Sequence, residues 1–172
     1  VAAYNGAHVV VSGPGTDVEA LLHTFQHKAV RCELLDTSHA FHSLLLDPAL
    51  EEFETYARQF TYRPLERTLL CNRTGKVLTG QAVLDAAYWR KHARQPVQFA
   101  ESVHTLSQLG RNVLLEIGPQ PVLTATALRA WPEGRDAPRP VASLRKDVSD
   151  SRQIAEALAQ LYVAGCRPHF SA

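Results

Sequence analysis

Hydrophobic positions change their spacing from segment to segment along this chain, and the spacing assigns the elements. Val9, Val10 and Val11 form a short β-branched run closed by Ser12-Gly13-Pro14-Gly15, the pattern of a buried strand ending in a turn. Val18, Leu21, Leu22 and Phe25 then recur at helical period behind Thr16 and Glu19, which are spaced as a capping box, and predict a helix over 17–28. Val30 to Leu35 reads as a second strand, so 8–35 forms a strand-helix-strand unit too small to stand alone.

Residues 36–43 are polar and histidine-rich, and loops at strand ends are where α/β proteins usually keep their chemistry. Leu50, Phe53, Ala57 and Phe60 place one apolar face on a helix over 47–59, with Pro48 tolerated in its first turn. Thr68 to Cys71 predicts a strand and Asn72 to Gly75 a turn, followed by a helix over 84–92 that Gln95-Pro96 interrupts. Phe99, Val103, Leu106 and Leu109 define an amphipathic helix that Gly110 can end. Val113 to Ile117 is almost unbroken in apolar character, as expected of a strand covered on both faces, and Gly118-Pro119 ends it before a short helix over 122–128. Trp131 to Pro140 has linker composition, Val141 to Leu144 is strand-like, and Ile154, Leu158 and Leu161 mark one face of a helix over 151–163.

With 172 residues, 45% hydrophobic and 20% charged, the chain has ordinary globular composition and room for one body or pieces of two. A net charge of +1 with scattered basic residues leaves no electrostatic footprint for nucleic acid or membrane. No apolar run approaches the ~20 residues of a membrane span, and no charged leader precedes an apolar core, so the cytoplasm is expected. Cys32, Cys71 and Cys166 are odd in number and contain no CxxC pair, which predicts unpaired, partly buried thiols in a reducing compartment. The chain opens on Val1 and contains no Met, and it reads as a piece of something longer.

Ser38-His39-Ala40-Phe41-His42-Ser43 concentrates two histidines in six residues, and either imidazole could act as a general base or acid near neutral pH. As a metal site the loop offers His39, His42 and at most Asp36, short of the usual zinc ligand set. As a complete nucleophile-base pair it lacks the strand-turn-helix elbow, and no G-x-S-x-G occurs in the chain. If His42 is a base, its nucleophile is elsewhere. Equally open is a polar capping loop in which Ser43 or Thr37 satisfies backbone N–H groups.

The segments Val1-Ala2-Ala3-Tyr4-Asn5-Gly6, Val10-Val11-Ser12-Gly13, Ser38-His39-Ala40-Phe41-His42-Ser43, Asn72-Arg73-Thr74-Gly75, Tyr88-Trp89-Arg90-Lys91-His92, Pro96-Val97-Gln98-Phe99 and Leu115-Glu116-Ile117-Gly118-Pro119 resemble, in that order over about residues 1–130, the second half of polyketide synthase acyltransferase domains. The resemblance implies an α/β fold: residues 37–130 as the carboxyl-terminal part of an α/β hydrolase-like acyltransferase body, 1–36 as the later half of a ferredoxin-like subdomain, and 131–172 as the linker that follows the acyltransferase and runs toward a ketosynthase. It implies transfer of a malonyl unit from coenzyme A (malonyl-CoA as substrate), through an acyl-serine, to the phosphopantetheine thiol of an acyl carrier protein, with no tightly bound cofactor and no metal. Its implied partners are the missing amino-terminal acyltransferase portion, the ketosynthase and the carrier protein within a homodimeric parent, without nucleic acid or membrane.

By the same resemblance His42 is the catalytic base, and the backbone carbonyl of His92 orients it. His39, Ala40 and Phe41 resemble the malonyl-selective form of the loop, in which the Phe41 ring opposes an α-methyl on the extender. The nucleophilic serine, the oxyanion donors and the carboxylate-pairing arginine would lie upstream, and neither Arg31 nor Arg94 replaces that arginine. The chain alone is therefore expected to be inactive. Leu44-Leu45-Leu46 departs from the family's Pro-Leu-Met and predicts a differently shaped start to the following helix. Alternatives are an acyl hydrolase of the same superfamily and a noncatalytic scaffold segment.

Overall fold

A computed structural model describes residues 1–167, which separate into two units: Val1–Ser102 and a second beginning at Val103. In the first unit β1 (Ala3–Tyr4) pairs antiparallel with β2 (Val9–Val10), Ala3 facing Val10 and Tyr4 facing Val9. Val9 is 51% exposed, so the valine run is not the buried strand its composition suggests; a single short partner covers only one side of it. Helix α1 (Gly15–His27) starts two residues earlier than the Thr16–Glu19 pattern predicts, because the Pro14 carbonyl already accepts from Val18 N–H at 3.0 Å and no side chain caps it.

Val30 to Leu35 does not form the expected second strand, and all six residues are exposed. β propensity alone cannot hold an extended segment that has no neighbouring strand to complete its ladder. The strand-helix-strand unit is therefore absent among the described residues.

Leu44–Leu46 form a single 3-10 turn whose start is capped by Ser43, and helix α2 (Asp47–Ala57) follows with Pro48 in its first turn. Leu50, Glu54 and Ala57 make the buried stripe, while Phe53 and Phe60 are 41% and 54% exposed. The helical period is as predicted but its phase is rotated, because Glu54 turns inward to receive Arg58 at 2.6 Å and Arg90 at 2.7 Å. A nearly buried carboxylate is tolerated only when paired in this way, and its two guanidinium partners, Arg90 foremost, hold it below the usual carboxylate range.

Strands β3 (Leu69–Cys71) and β4 (Lys76–Leu78) form an antiparallel hairpin across the Asn72–Gly75 turn. Gly75 has φ +70°, and a Cβ there would lie 2.2 Å from Glu101 Cβ, so the turn is seated directly on the start of the later helix. Helix α3 (Ala86–Arg94) begins two residues after its predicted start because Asp85 caps it, accepting from Tyr88 N–H at 2.8 Å. Beyond α3 the chain is stapled to β1: Val97 N–H donates to Ala2 O at 2.8 Å and Tyr4 N–H to Val97 O at 2.9 Å. Helix α4 (Phe99–Gln108) carries the chain across the division between the units.

In the second unit β5 (Val113–Glu116) lies parallel to β6 (Arg139–Ala142), with Val113 beside Arg139 and Glu116 beside Ala142. Arg139 and Pro140 therefore belong to a strand rather than to a linker; a two-stranded sheet is all edge, where proline's missing donor is tolerated. For the same reason β5 is not covered on both faces, and Leu115 is 43% and Ile117 84% exposed. Helix α5 (Leu123–Arg129) is capped by the Glu116 carboxylate, which accepts from the backbone of Val122, Leu123 and Thr124 and from the Thr124 hydroxyl at 2.8–3.0 Å.

Helix α6 (Asp150–Val163) buries Gln153 and Ala157, whereas Ile154 is 46% exposed. Its inner face is rotated from the predicted Ile154–Leu158–Leu161 stripe because the Gln153 amide donates to Ala142 O at the end of β6 at 2.9 Å. Of the three free cysteines only Cys71 is buried; Cys32 and Cys166 are exposed, contrary to the expectation of partly buried thiols throughout. No described helix is long and apolar enough to cross a membrane.

Candidate active site

The loop 38–43 is fixed by its own short hydrogen bonds. Ser43 Oγ donates to Ala40 O at 2.7 Å and accepts from Leu45 N–H at 3.2 Å, so the capping function expected of Ser43 is present alongside any chemistry at His42. His42 itself adopts φ +60°, a left-handed conformation that costs a non-glycine residue on the order of 1–2 kcal/mol. Such strain persists only where the surroundings over-determine it.

Those surroundings are the end of α3. His42 N–H donates to Ala93 O at 3.2 Å, and Nδ1 lies 2.8 Å from the Gln95 main-chain oxygen. A carbonyl can only accept, so Nδ1 carries the proton and the neutral ring keeps its lone pair on Nε2.

The orienting carbonyl is thus that of Gln95, not that of His92, which corrects the expectation drawn from the family pattern. His92 lies inside α3, where its carbonyl follows the helix axis. Gln95 is the residue before Pro96, which disfavours helical backbone; at φ −85° and ψ 153° its carbonyl leaves the helix direction and turns to the ring. The signal for Gln95 was present in the Gln95-Pro96 pair, which marks the helix end.

His92 nevertheless stands close to His42 through its side chain. The two ring centroids are 6.1 Å apart and edge-on, and Tyr88 and Trp89 contact the His92 ring at 5.9 and 5.5 Å. It is a half-buried member of a ring cluster in the last turn of α3. Burial, then the charges of His42 and Arg73, hold it below the usual histidine range and keep it neutral near pH 7. Beside it burial, then the Cys71 thiol at 3.5 Å, pushes Tyr88 up to about 12.

His42 opens on a groove of about 380 Å³ lined by Val1, Ser12, Asp17, Leu44, Leu45 and Arg94 among others. Ser12 shares the groove, but its hydroxyl is itself buried and is not presented as a nucleophile. Arg94 Nε donates to Asp47 Oδ1 at 2.6 Å, so its charge is already engaged across the ends of α3 and α2. His39, Ala40 and Phe41 do not line this groove; Phe41 is 52% exposed and sits against the His39 ring at 5.9 Å, so it is not a core aromatic. Among the described residues no three His, Cys, Asp or Glu side chains gather closely enough to hold a metal ion.

Comparison with known proteins places this geometry in context. The acyl transferase domain family matches residues 1–168. The chain is 36% identical over 166 residues to mycoketide-CoA synthase of Mycobacterium tuberculosis, covering 96% of this chain and 4% of that protein. Among solved structures it resembles the acyltransferase domain from the second module of the salinomycin polyketide synthase, with 34% identity and a TM-score of 0.87 over 97% of this chain and 39% of that one. It also resembles the acyltransferase domain of SpnD in complex with 2-(pent-4-yn-1-yl)malonyl, with 35% identity and a TM-score of 0.81 over 89% of this chain and 38% of that one. The chain therefore spans about two fifths of the solved domains it matches and a small part of the synthase.

Proposed function

This chain belongs to the acyl transferase domain family, and we propose that it supplies the general base of an enzyme that moves a malonyl unit from coenzyme A, through an acyl-serine, to the phosphopantetheine thiol of an acyl carrier protein. One observation carries the reading: His42 Nδ1 is committed to the Gln95 carbonyl at 2.8 Å, which leaves Nε2 as the basic atom of a groove-lining ring.

A serine hydroxyl is a weak nucleophile at neutral pH, so Nε2 takes its proton as Oγ attacks the thioester carbonyl. As the C–S bond breaks, the imidazolium returns that proton to the departing coenzyme A thiolate. In the second half Nε2 accepts the proton of the carrier thiol, the sulfur attacks the serine ester, and the proton goes back to the serine oxygen. During each half the cation on His42 rests against the Gln95 carbonyl and the carboxyl end of α3. The serine lies outside these 172 residues, which contain no G-x-S-x-G; the chain alone is then inactive.

The malonyl class is supported by the relative in complex with a substituted malonyl group and by the His39-Ala40-Phe41-His42 loop. By the same loop pattern Phe41, which lies outside the groove formed by these residues, disfavours an α-methyl from the part of the cleft that the rest of the enzyme completes, biasing it toward malonyl itself. We read residues 131–172 as leading toward a ketosynthase in a homodimeric cytoplasmic parent; the exposed apolar positions Ile154, Tyr162 and Val163 of α6 offer a surface for such a neighbouring domain.

The test is a product balance on the intact enzyme with radiolabelled malonyl-CoA and carrier protein. Label on the carrier is expected. Label released as free malonate in its place marks a hydrolase, and label left wholly on coenzyme A marks a scaffold.

A further inference from the structure

The Asn72–Gly75 turn is seated behind the segment that orients His42. Gln98 N–H donates to Asn72 O at 2.6 Å, Gly75 lies against Glu101, and Arg73 Nη1 donates to the Gln95 side-chain oxygen at 3.1 Å. The Arg73 guanidinium carbon stands 6.0 Å over the Tyr88 ring. Arg73 does not line the groove beside His42, and its hydrogen bond to Gln95 connects it to the residue that orients the ring.

Gln95 carries two carbonyl oxygens, and only one is fixed by the chain path. Its main-chain oxygen is set by Gln95 N–H donating to Lys91 O at 2.9 Å and by the Val97 N–H bond to Ala2 O at 2.8 Å on the other side. Its amide oxygen swings on three rotatable bonds and is a rival acceptor for His42 Nδ1–H. Resting on the reading of His42 as base, we propose that Arg73 is a positioning residue that holds the Gln95 amide on the hairpin side and so reserves His42 for the main-chain carbonyl.

Two features support this role. A charge-assisted bond outcompetes a neutral imidazole N–H for the amide oxygen. Arg73 Nε is buried with no partner, a placement that carries a desolvation cost and that stability alone would not select.

The experiment measures acyl-serine formation from malonyl-CoA by the intact enzyme in Arg73→Met, Arg73→Lys, Gln95→Leu and the Arg73→Met/Gln95→Leu double variant, with circular dichroism to check folding. A misaimed base costs roughly tenfold in kcat with KM unchanged in Arg73→Met, and Arg73→Lys recovers part of it. Gln95→Leu keeps the main-chain carbonyl and removes the rival oxygen, and its own kcat is the reference for the double variant: adding Arg73→Met to it costs nothing further. A wild-type kcat in Arg73→Met, or an equal loss when that change is added to Gln95→Leu, overturns the proposal. Should Arg73→Met not fold, Arg73→Gln, which keeps a donor without the charge, replaces it in both comparisons. His42→Ala run alongside keeps the two readings apart: an unaffected rate there removes the base assignment itself, whereas a lost rate with an unaffected Arg73 series removes only the role of Arg73.

Discussion

His42 Nδ1 lies 2.8 Å from the main-chain oxygen of Gln95, fifty-three residues along the chain. That contact exists because Pro96 holds Gln95 out of helical backbone at the end of α3. Replacing Pro96 by Ala permits the helix to continue and swings the carbonyl away. The expected result is a fall in kcat on the order of tenfold with little change in KM, measured as acyl-serine formation in the intact enzyme; an unchanged kcat would show that the proline is not what aims this carbonyl.

His92 supplies a pH dependence of stability. Burial, His42 and Arg73 set its folded pKa below the ordinary 6.5, so the folded state binds fewer protons than the unfolded state on the acid side. The stability associated with a neutral His92 is present above about pH 6.5 and is lost as pH falls below it. His92→Gln is expected to lose less melting temperature than wild type between pH 7 and pH 5. Equal losses in the two proteins would remove His92 from the account.

Glu116 acts in the opposite range. Partial burial pushes its carboxyl up, but the bonds from Thr124, Leu123 and Val122 outweigh this and hold it below the ordinary 4.5. Its contribution is present above about pH 4.5 and is lost as pH falls through that region. Glu116→Gln turns an amide NH₂ toward backbone donors and should cost about 1–2 kcal/mol at pH 7, read as a lower Tm with a shallower decline on acidification. Wild-type stability in that variant would contradict the capping role.

Phe41 tests extender choice. Phe41 lies outside the groove beside His42, so it acts on extender choice from the part of the cleft that the rest of the enzyme completes; there Phe41→Ser removes bulk opposite an α-methyl, worth about 1–3 kcal/mol of discrimination. The preference for malonyl over methylmalonyl thioesters, as a ratio of kcat/KM values, is expected to fall by roughly tenfold or more. A ratio that stays constant would place selectivity elsewhere.

Periodicity made most helices legible, and the Asn72–Gly75 turn and the Gly110 stop were readable from residue type. Their phases were not, because Glu54 and Gln153 turn inward to partners on other elements, Arg90 and Ala142, whose pairing helical periodicity does not encode. The 30–35 segment misled for the reverse reason: a strand requires a neighbour, and local residue type cannot supply one. His42 was identifiable from its loop once the family pattern was recognised. Gln95 was marked only as a helix end, by its pairing with Pro96, and Arg73 was not marked as a site residue, since the first acts through its backbone and the second through the first.

The most direct test of His42 as base is the burst of acyl-serine formed by the intact enzyme on mixing with malonyl-CoA, compared between wild type and His42→Ala. A lost general base predicts a rate lower by about 10²- to 10⁴-fold in a variant that still folds. A burst of wild-type rate, followed by normal loading of the carrier protein, would contradict it.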